Sequence, residues 1–147
     1  MKTIQLTMLR KLLYALTLWS AACVAVPAYG EIAVIVRADS HVPYDDLLIE
    51  KIFLVQTLTL PDGSKAEPVH QKDGSSIHSE FVLNLLNKSP TYIRSGWSKL
   101  TFTGGLKAIK ELPDDDAVIK YVENTPNGVG YVDARKVKGN VRVIMKL

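Results

Sequence analysis

The chain has 147 residues, with 18 Lys or Arg against 15 Asp or Glu, and a single cysteine, Cys23. Three of the basic residues, Lys2, Arg10 and Lys11, fall in positions 1–30, so residues 31–147 carry fifteen charges of each sign. That balance excludes the basic excess that nucleic-acid binding requires, and residues 31–147 hold no disulfide, thiol nucleophile or thiolate metal ligand.

The positive start runs into the apolar segment Leu12 to Val26, then Pro27 and the small-residue pair Ala28 and Gly30 around Tyr29. This is the order of a cleavable secretory signal. A membrane-spanning helix needs about 20 consecutive apolar residues, whereas Thr17, Ser20 and Pro27 interrupt this run. The expected division is therefore a signal peptide over 1–30, cleaved near Gly30-Glu31, and one domain over 31–147 in the periplasm. Cys23 follows Ser20-Ala21-Ala22 and offers a lipoprotein acceptor as the other option. Ser20 stands where such sites usually carry Leu, so Cys23 is read as part of the signal core.

Ile32-Ala33-Val34-Ile35-Val36 is an apolar, β-branched run that predicts a strand covered on both faces. Leu47, Leu48, Ile52 and Val55 recur at helical spacing, and Asp45 and Asp46 suit the positive end of a helix. Pro61-Asp62-Gly63 predicts a turn, and an extended segment follows at Ala66 to His70. Asp73-Gly74-Ser75-Ser76 enters a helix with Ser75 or Ser76 as its cap and Ile77, Phe81, Val82, Leu85 and Leu86 as its apolar stripe.

Ser89-Pro90 opens a further helix, lined by Ile93, Trp97 and Leu100, which Thr103-Gly104-Gly105 ends. Asp114-Asp115-Asp116 opens another, with Ala117, Val118, Tyr121 and Val122 on one face. It lacks the alternating oxygen ligands of a calcium loop and reads as a dipole-matched helix start. Gly128 to Val132 and Val141 to Ile144 close the chain as strands. Strands alternating with helices give an α/β class, a mixed sheet flanked by helices.

The segment that carries chemistry is Lys72 to Ser76. A helix start presents unpaired N–H groups and partial positive charge to an oxyanion. Gly74 allows close backbone approach, Ser75 and Ser76 supply hydroxyls, and Lys72 supplies a flexible charge. A plain turn and cap satisfies the same pattern. His41, His70 and His78 match no metal-ligand spacing and are expected to be solvated or hydrogen-bonded. Trp97, Phe102 and Tyr131 are expected in the core. No serine sits in a nucleophile elbow, and neither an enzymatic constellation nor a cofactor motif is found.

Ile32 to Val36, Ile52-Phe53-Leu54, Pro61-Asp62-Gly63, Gly74-Ser75 with Phe81, and Thr125-Pro126-Asn127-Gly128-Val129-Gly130-Tyr131-Val132 follow one another in an order that resembles the phosphate-binding proteins of ABC transporters. The resemblance implies a single lobe of the type II periplasmic-binding-protein fold. It also implies a non-enzymatic module that binds phosphate or a related oxyanion at Gly74, Ser75 and Ser76, beside an ABC transporter complex or a second chain that closes the cleft. Two positions depart from the family: Gln71 stands where arginine is common, and Ile77 where threonine is common. These departures favour the alternative of an envelope adaptor that keeps the fold without the ligand.

Overall fold

The computed structural model describes residues 30–102 and 109–147. The expected signal segment up to residue 29, the side chain of Leu100 and the stop at Thr103-Gly104-Gly105 lie outside the described residues.

Strand β1 (Ile32–Arg37) pairs antiparallel with β4 (Gly128–Asp133) on one side and with β5 (Val141–Lys146) on the other. Strand β2 (Glu67–Gln71) runs parallel to β4 and to β3 (Lys110–Leu112). The five strands are ordered β3-β2-β4-β1-β5. The helices are α1 (Asp46–Phe53), α2 (Ser76–Asn84), α3 (Pro90–Phe102) and α4 (Asp115–Asn124), and a 3-10 turn spans Ala134–Lys136.

Successive side chains of a strand point to opposite faces, and β1 uses both. Ile32, Val34 and Val36 join Val129 and Tyr131 in a core with Ile49 and Phe53 of α1, Phe81 and Val82 of α2, Leu86 just beyond it, and Ile93 of α3. Ala33 and Ile35 join Val69 and Val132 in a second core with Val118, Ile119 and Val122 of α4. The expected strand covered on both faces is observed, in a mixed sheet with helices on each side.

Local signals explain the helix starts. Asp45, Ser75 and Asp114 cap α1, α2 and α4, accepting the amides of Leu48, His78 and Ala117. Ser89 accepts from Tyr92 N ahead of Pro90, as the Ser-Pro pair predicts. The end of α1 differs from the expected stripe. Val55 takes a φ of 57° beyond the helix, with its N–H on Ile52 O and that of Gln56 on Lys51 O. This pair of bonds is the closing geometry that glycine usually provides. Leu47 is exposed, and Ile49, Ile52 and Phe53 form the buried face. In α4 the buried set is likewise shifted to Asp115, Val118, Ile119 and Val122.

Strand β3 had no signal in the sequence. Its three residues, Lys-Glu-Leu, are too few to show a period, and register with β2 fixes them: Val69 faces Lys110 and Gln71 faces Leu112. Because β2, β3 and β4 are parallel, their carboxyl ends share one edge of the sheet. There α2 and α4 begin on opposite faces, the arrangement in which open α/β sheets hold ligands.

Gly130 sits where β4 meets α4 and β2. A Cβ at this position would lie 2.5 Å from Val118 Cγ1 and 3.2 Å from Val69 Cγ2. Gly130→Ala is expected to lower stability by about 1–3 kcal/mol through overpacking, seen as a lower urea midpoint with an unchanged slope. An unchanged midpoint would show that this contact relaxes freely.

Candidate functional site

The carboxyl end of β2 passes into a tight turn. Lys72 N donates to Leu112 O of β3 at 2.8 Å, and Ser75 N donates back to Lys72 O at 3.1 Å. Gly74 takes a φ of +87° in this turn, with open space where its Cβ would be. Glycine is favoured there by backbone conformation, since residues with a Cβ rarely adopt positive φ. Ser75 caps α2: its Oγ accepts from His78 N at 3.1 Å, and its carbonyl accepts from Ser79 N and Ser79 Oγ, each at 3.1 Å. Ser76 opens the helix with its side chain exposed, as is that of Lys72.

The four sequence-derived residues Lys72, Gly74, Ser75 and Ser76 thus form one solvent-facing turn at a helix start. The amides of the first turn are those for which a helix offers no internal acceptor.

Sequence reasoning missed Arg94, which α3 brings to the same turn. Its Nη1 lies 2.6 Å from Asp73 Oδ2. Nothing in the sequence marks this contact between residues on separate elements. Asp73 and Arg94 border a cleft of 340 Å³ lined also by His78, Trp97, Ser98, Phe102 and Glu111. Phe102 is 95% exposed, which corrects its expected place in the core, while Tyr131 is fully buried as expected.

Beneath the turn lies a buried polar network centred on Tyr131 of β4. Its hydroxyl accepts from Gln71 N at 3.1 Å and contacts His78 Nδ1 at 2.8 Å and His70 Nδ1 at 3.2 Å. The Phe81 ring stacks on Tyr131 at 3.7 Å between centroids, and Trp97 lies 3.8 Å from His70. His70 Nε2 is buried with no hydrogen-bond partner among the described residues.

The Gln71 side chain points to a second cluster. Its Nε2 donates to Asp115 Oδ1 at 2.7 Å, and the same oxygen accepts from Asp133 N at 3.0 Å. Asp115 Oδ2 accepts from Lys136 Nζ at 2.8 Å. Gln71 therefore ties the end of β2 to the start of α4 and takes no part in the Gly74 turn. Among the described residues, no group of three or more His, Cys, Asp or Glu is placed to hold a metal ion.

Burial holds His70 well below the ordinary imidazole range, reinforced by repulsion from His78. Burial also lowers His78, against opposing attraction from Asp73 and Glu111. Burial pushes the Tyr131 hydroxyl upward. For Asp115, burial acts to raise the carboxyl, but the bonds from Lys136, Asp133 N and Gln71 outweigh it and leave a net lowering.

No protein-family model matches the chain, and no curated protein sequence matches it. Solved structures similar to the chain include two phosphate transport proteins. One is described as a phosphate ABC transporter substrate-binding protein with bound phosphate from Clostridium perfringens, with a TM-score of 0.59 and 14% identity over 78% of this chain and 45% of that one. The other is an ABC-type phosphate transport receptor from Vibrio cholerae, with a TM-score of 0.57 and 15% identity over 78% of this chain and 46% of that one. The chain has the fold of one periplasmic-binding-protein lobe. It spans less than half the length of either solved protein.

The buried imidazoles set a pH dependence. Each titrates below its ordinary value of 6.5 when folded, so the unfolded chain binds more protons as pH falls below that value. Stability is fully present above about pH 6.5 and is lost as pH falls through 6.5 toward the folded-state values. Urea midpoints measured at about pH 7.5 and about pH 5.5 are expected to show the lower value in acid. An equal or higher acid midpoint would contradict the burial of neutral histidines.

Proposed function

We propose that this chain is an exported solute-binding module that takes phosphate or a related oxyanion at the start of α2 and serves an ABC-type transport complex. In this reading residues 1–30 are the leader and residues 31–147 the binding domain. The observation that carries it is the position of the Lys72–Ser76 turn. It lies at the carboxyl end of β2, in a lobe whose fold is shared with a phosphate transport receptor and with a protein solved with phosphate bound.

The chemistry is recognition without bond breaking. Amides of the first turn of α2 and the Ser76 hydroxyl donate to the oxyanion, and the helix dipole favours its charge. Lys72 adds a cation from the turn. Ser75 keeps its oxygen as the cap while its hydroxyl proton remains available to a ligand. Arg94 neutralises Asp73, which would otherwise repel an anion, and its exposed guanidinium offers further donors. The turn is open to solvent, so a second chain closing over it would shield the ligand and tighten binding.

A second reading, an envelope adaptor without ligand, draws on Gln71 and Asp73. The Gln71 amide is engaged with Asp115, and Asp73 places a carboxylate on the turn.

Phosphate titration by calorimetry separates the two. Saturable binding is expected, and Ser76→Ala should weaken it roughly 10–100-fold, the range for one hydrogen bond to a charged group. Ser75→Ala should weaken binding as well and also cost about 1 kcal/mol of stability as a lost cap. No heat with phosphate, sulfate or arsenate from a folded sample would reject the oxyanion site and leave the adaptor.

A further inference from the structure

Among the described residues the Tyr131 hydroxyl has three partners, and their proton requirements can be met in two ways. A phenol has one proton to give and accepts through its lone pairs. Gln71 N–H must donate to it. Of the two imidazoles, one must then receive the phenol proton and the other must donate to the phenol oxygen. If both donated, the phenol proton would have no acceptor; if both accepted, one proton would serve two rings.

The distances point to one of the two: bonds from O–H donors cluster near about 2.7–2.8 Å, and those from N–H donors run to about 3.2 Å. The His78 contact is 2.8 Å and the His70 contact 3.2 Å. These distances point to Tyr131 as donor to His78 Nδ1 and to His70 Nδ1–H as donor to Tyr131. That assignment puts the His78 proton on Nε2 and leaves the Nε2 of His70, which has no partner among the described residues, as a bare lone pair. An orphaned acceptor is the less unusual of the two buried defects.

His78 is also the third residue of α2, and its backbone N–H is the one that Ser75 caps. We propose that Tyr131 is the positioning residue of the α2 start: by holding His78 as an acceptor and His70 as a donor, in opposite tautomers, it fixes the first turn of α2 against β4. This rests on the oxyanion reading of that turn.

The groups facing His78 are Tyr131 from β4, His70 from β2, Asp73 from the turn, Glu111 from β3 and Arg94 from α3, the last across the cleft. Protonating His78 makes its Nδ1 a donor. The phenol O–H must then turn to His70 Nδ1, which requires the other His70 tautomer: Nδ1 releases its proton and Nε2 gains one by exchange with solvent, with no acceptor for the new Nε2–H among the described residues. The cleft-side ring and the fully buried ring are thereby coupled through one oxygen.

The test has two arms. Nitrogen–proton correlation spectra of the imidazole rings, recorded on isotope-labelled protein without ligand near neutral pH, should show His78 protonated on Nε2 and His70 on Nδ1. Tyr131→Phe, which keeps the ring stacked on Phe81, should abolish that pairing. The same tautomer in both rings, or spectra unaffected by Tyr131→Phe, would overturn the assignment. In phosphate calorimetry, Tyr131→Phe should bind about tenfold more weakly. Equal binding by Tyr131→Phe and wild type would overturn the positioning role. A wild type silent toward phosphate would overturn the oxyanion reading and the ligand-positioning role with it, whereas the spectra decide the tautomer claim independently.

Discussion

Val34 and Ile35 are neighbours in sequence whose side chains enter different cores. A central strand that is apolar on both faces must be covered on both, because about 25 cal/mol is lost for each Å² of apolar surface left in water. The antiparallel pairing of β1 with β4 and β5 anchors this strand, and the remaining elements follow from covering it. Helices α1, α2 and α3 cover one face and α4 the other. Gly130 lets α4 approach β4 closely at the centre of the second core.

Once the strands are fixed, the parallel set β2, β3 and β4 must end at one edge, and the polar groups of the fold collect there. Their burial is offset by pairing rather than by exposure to water. The Asp115 carboxylate meets an amide side chain, a backbone N–H and an ammonium, while the Tyr131 hydroxyl meets a backbone N–H and two imidazoles. Removing one member of such a set leaves a buried group unsatisfied, at a cost of about 1–3 kcal/mol. These two clusters sit on either side of β2, with Gln71 contributing its backbone to one and its side chain to the other.

The same geometry gives adjacent residues of one short segment opposite surroundings. Gln71 and His78 face inward and secure the sheet, Lys72, Gly74 and Ser76 face solvent, and Ser75 joins the two as the cap. An inward Gln71 holds the end of β2 to the start of α4 and leaves the Gly74 turn to its own backbone hydrogen bonds.

Much of this was legible in the residues. The β-branched run at Ile32 to Val36, the caps Ser75, Ser89 and Asp114 and the turn at Pro61 to Gly63 act through local chemistry, so their signals survive without knowledge of the fold. The Lys72–Ser76 turn was legible for the same reason. Local chemistry could not show that α1 closes on Val55 in a left-handed conformation, that a three-residue β3 exists, or that Phe102 stands in solvent, because packing and strand register settle each of these. Nor could it bring Arg94 to Asp73, Gln71 to Asp115, or His70 and His78 to a single phenol oxygen 61 and 53 residues away. The sequence determined most of the elements and the solvent-facing turn at Lys72 to Ser76, through short-range hydrogen bonding and periodicity. The tertiary structure alone decided which side chains stand behind that turn, because only parallel pairing of β2 with β4 brings those distant residues to the same end of the sheet.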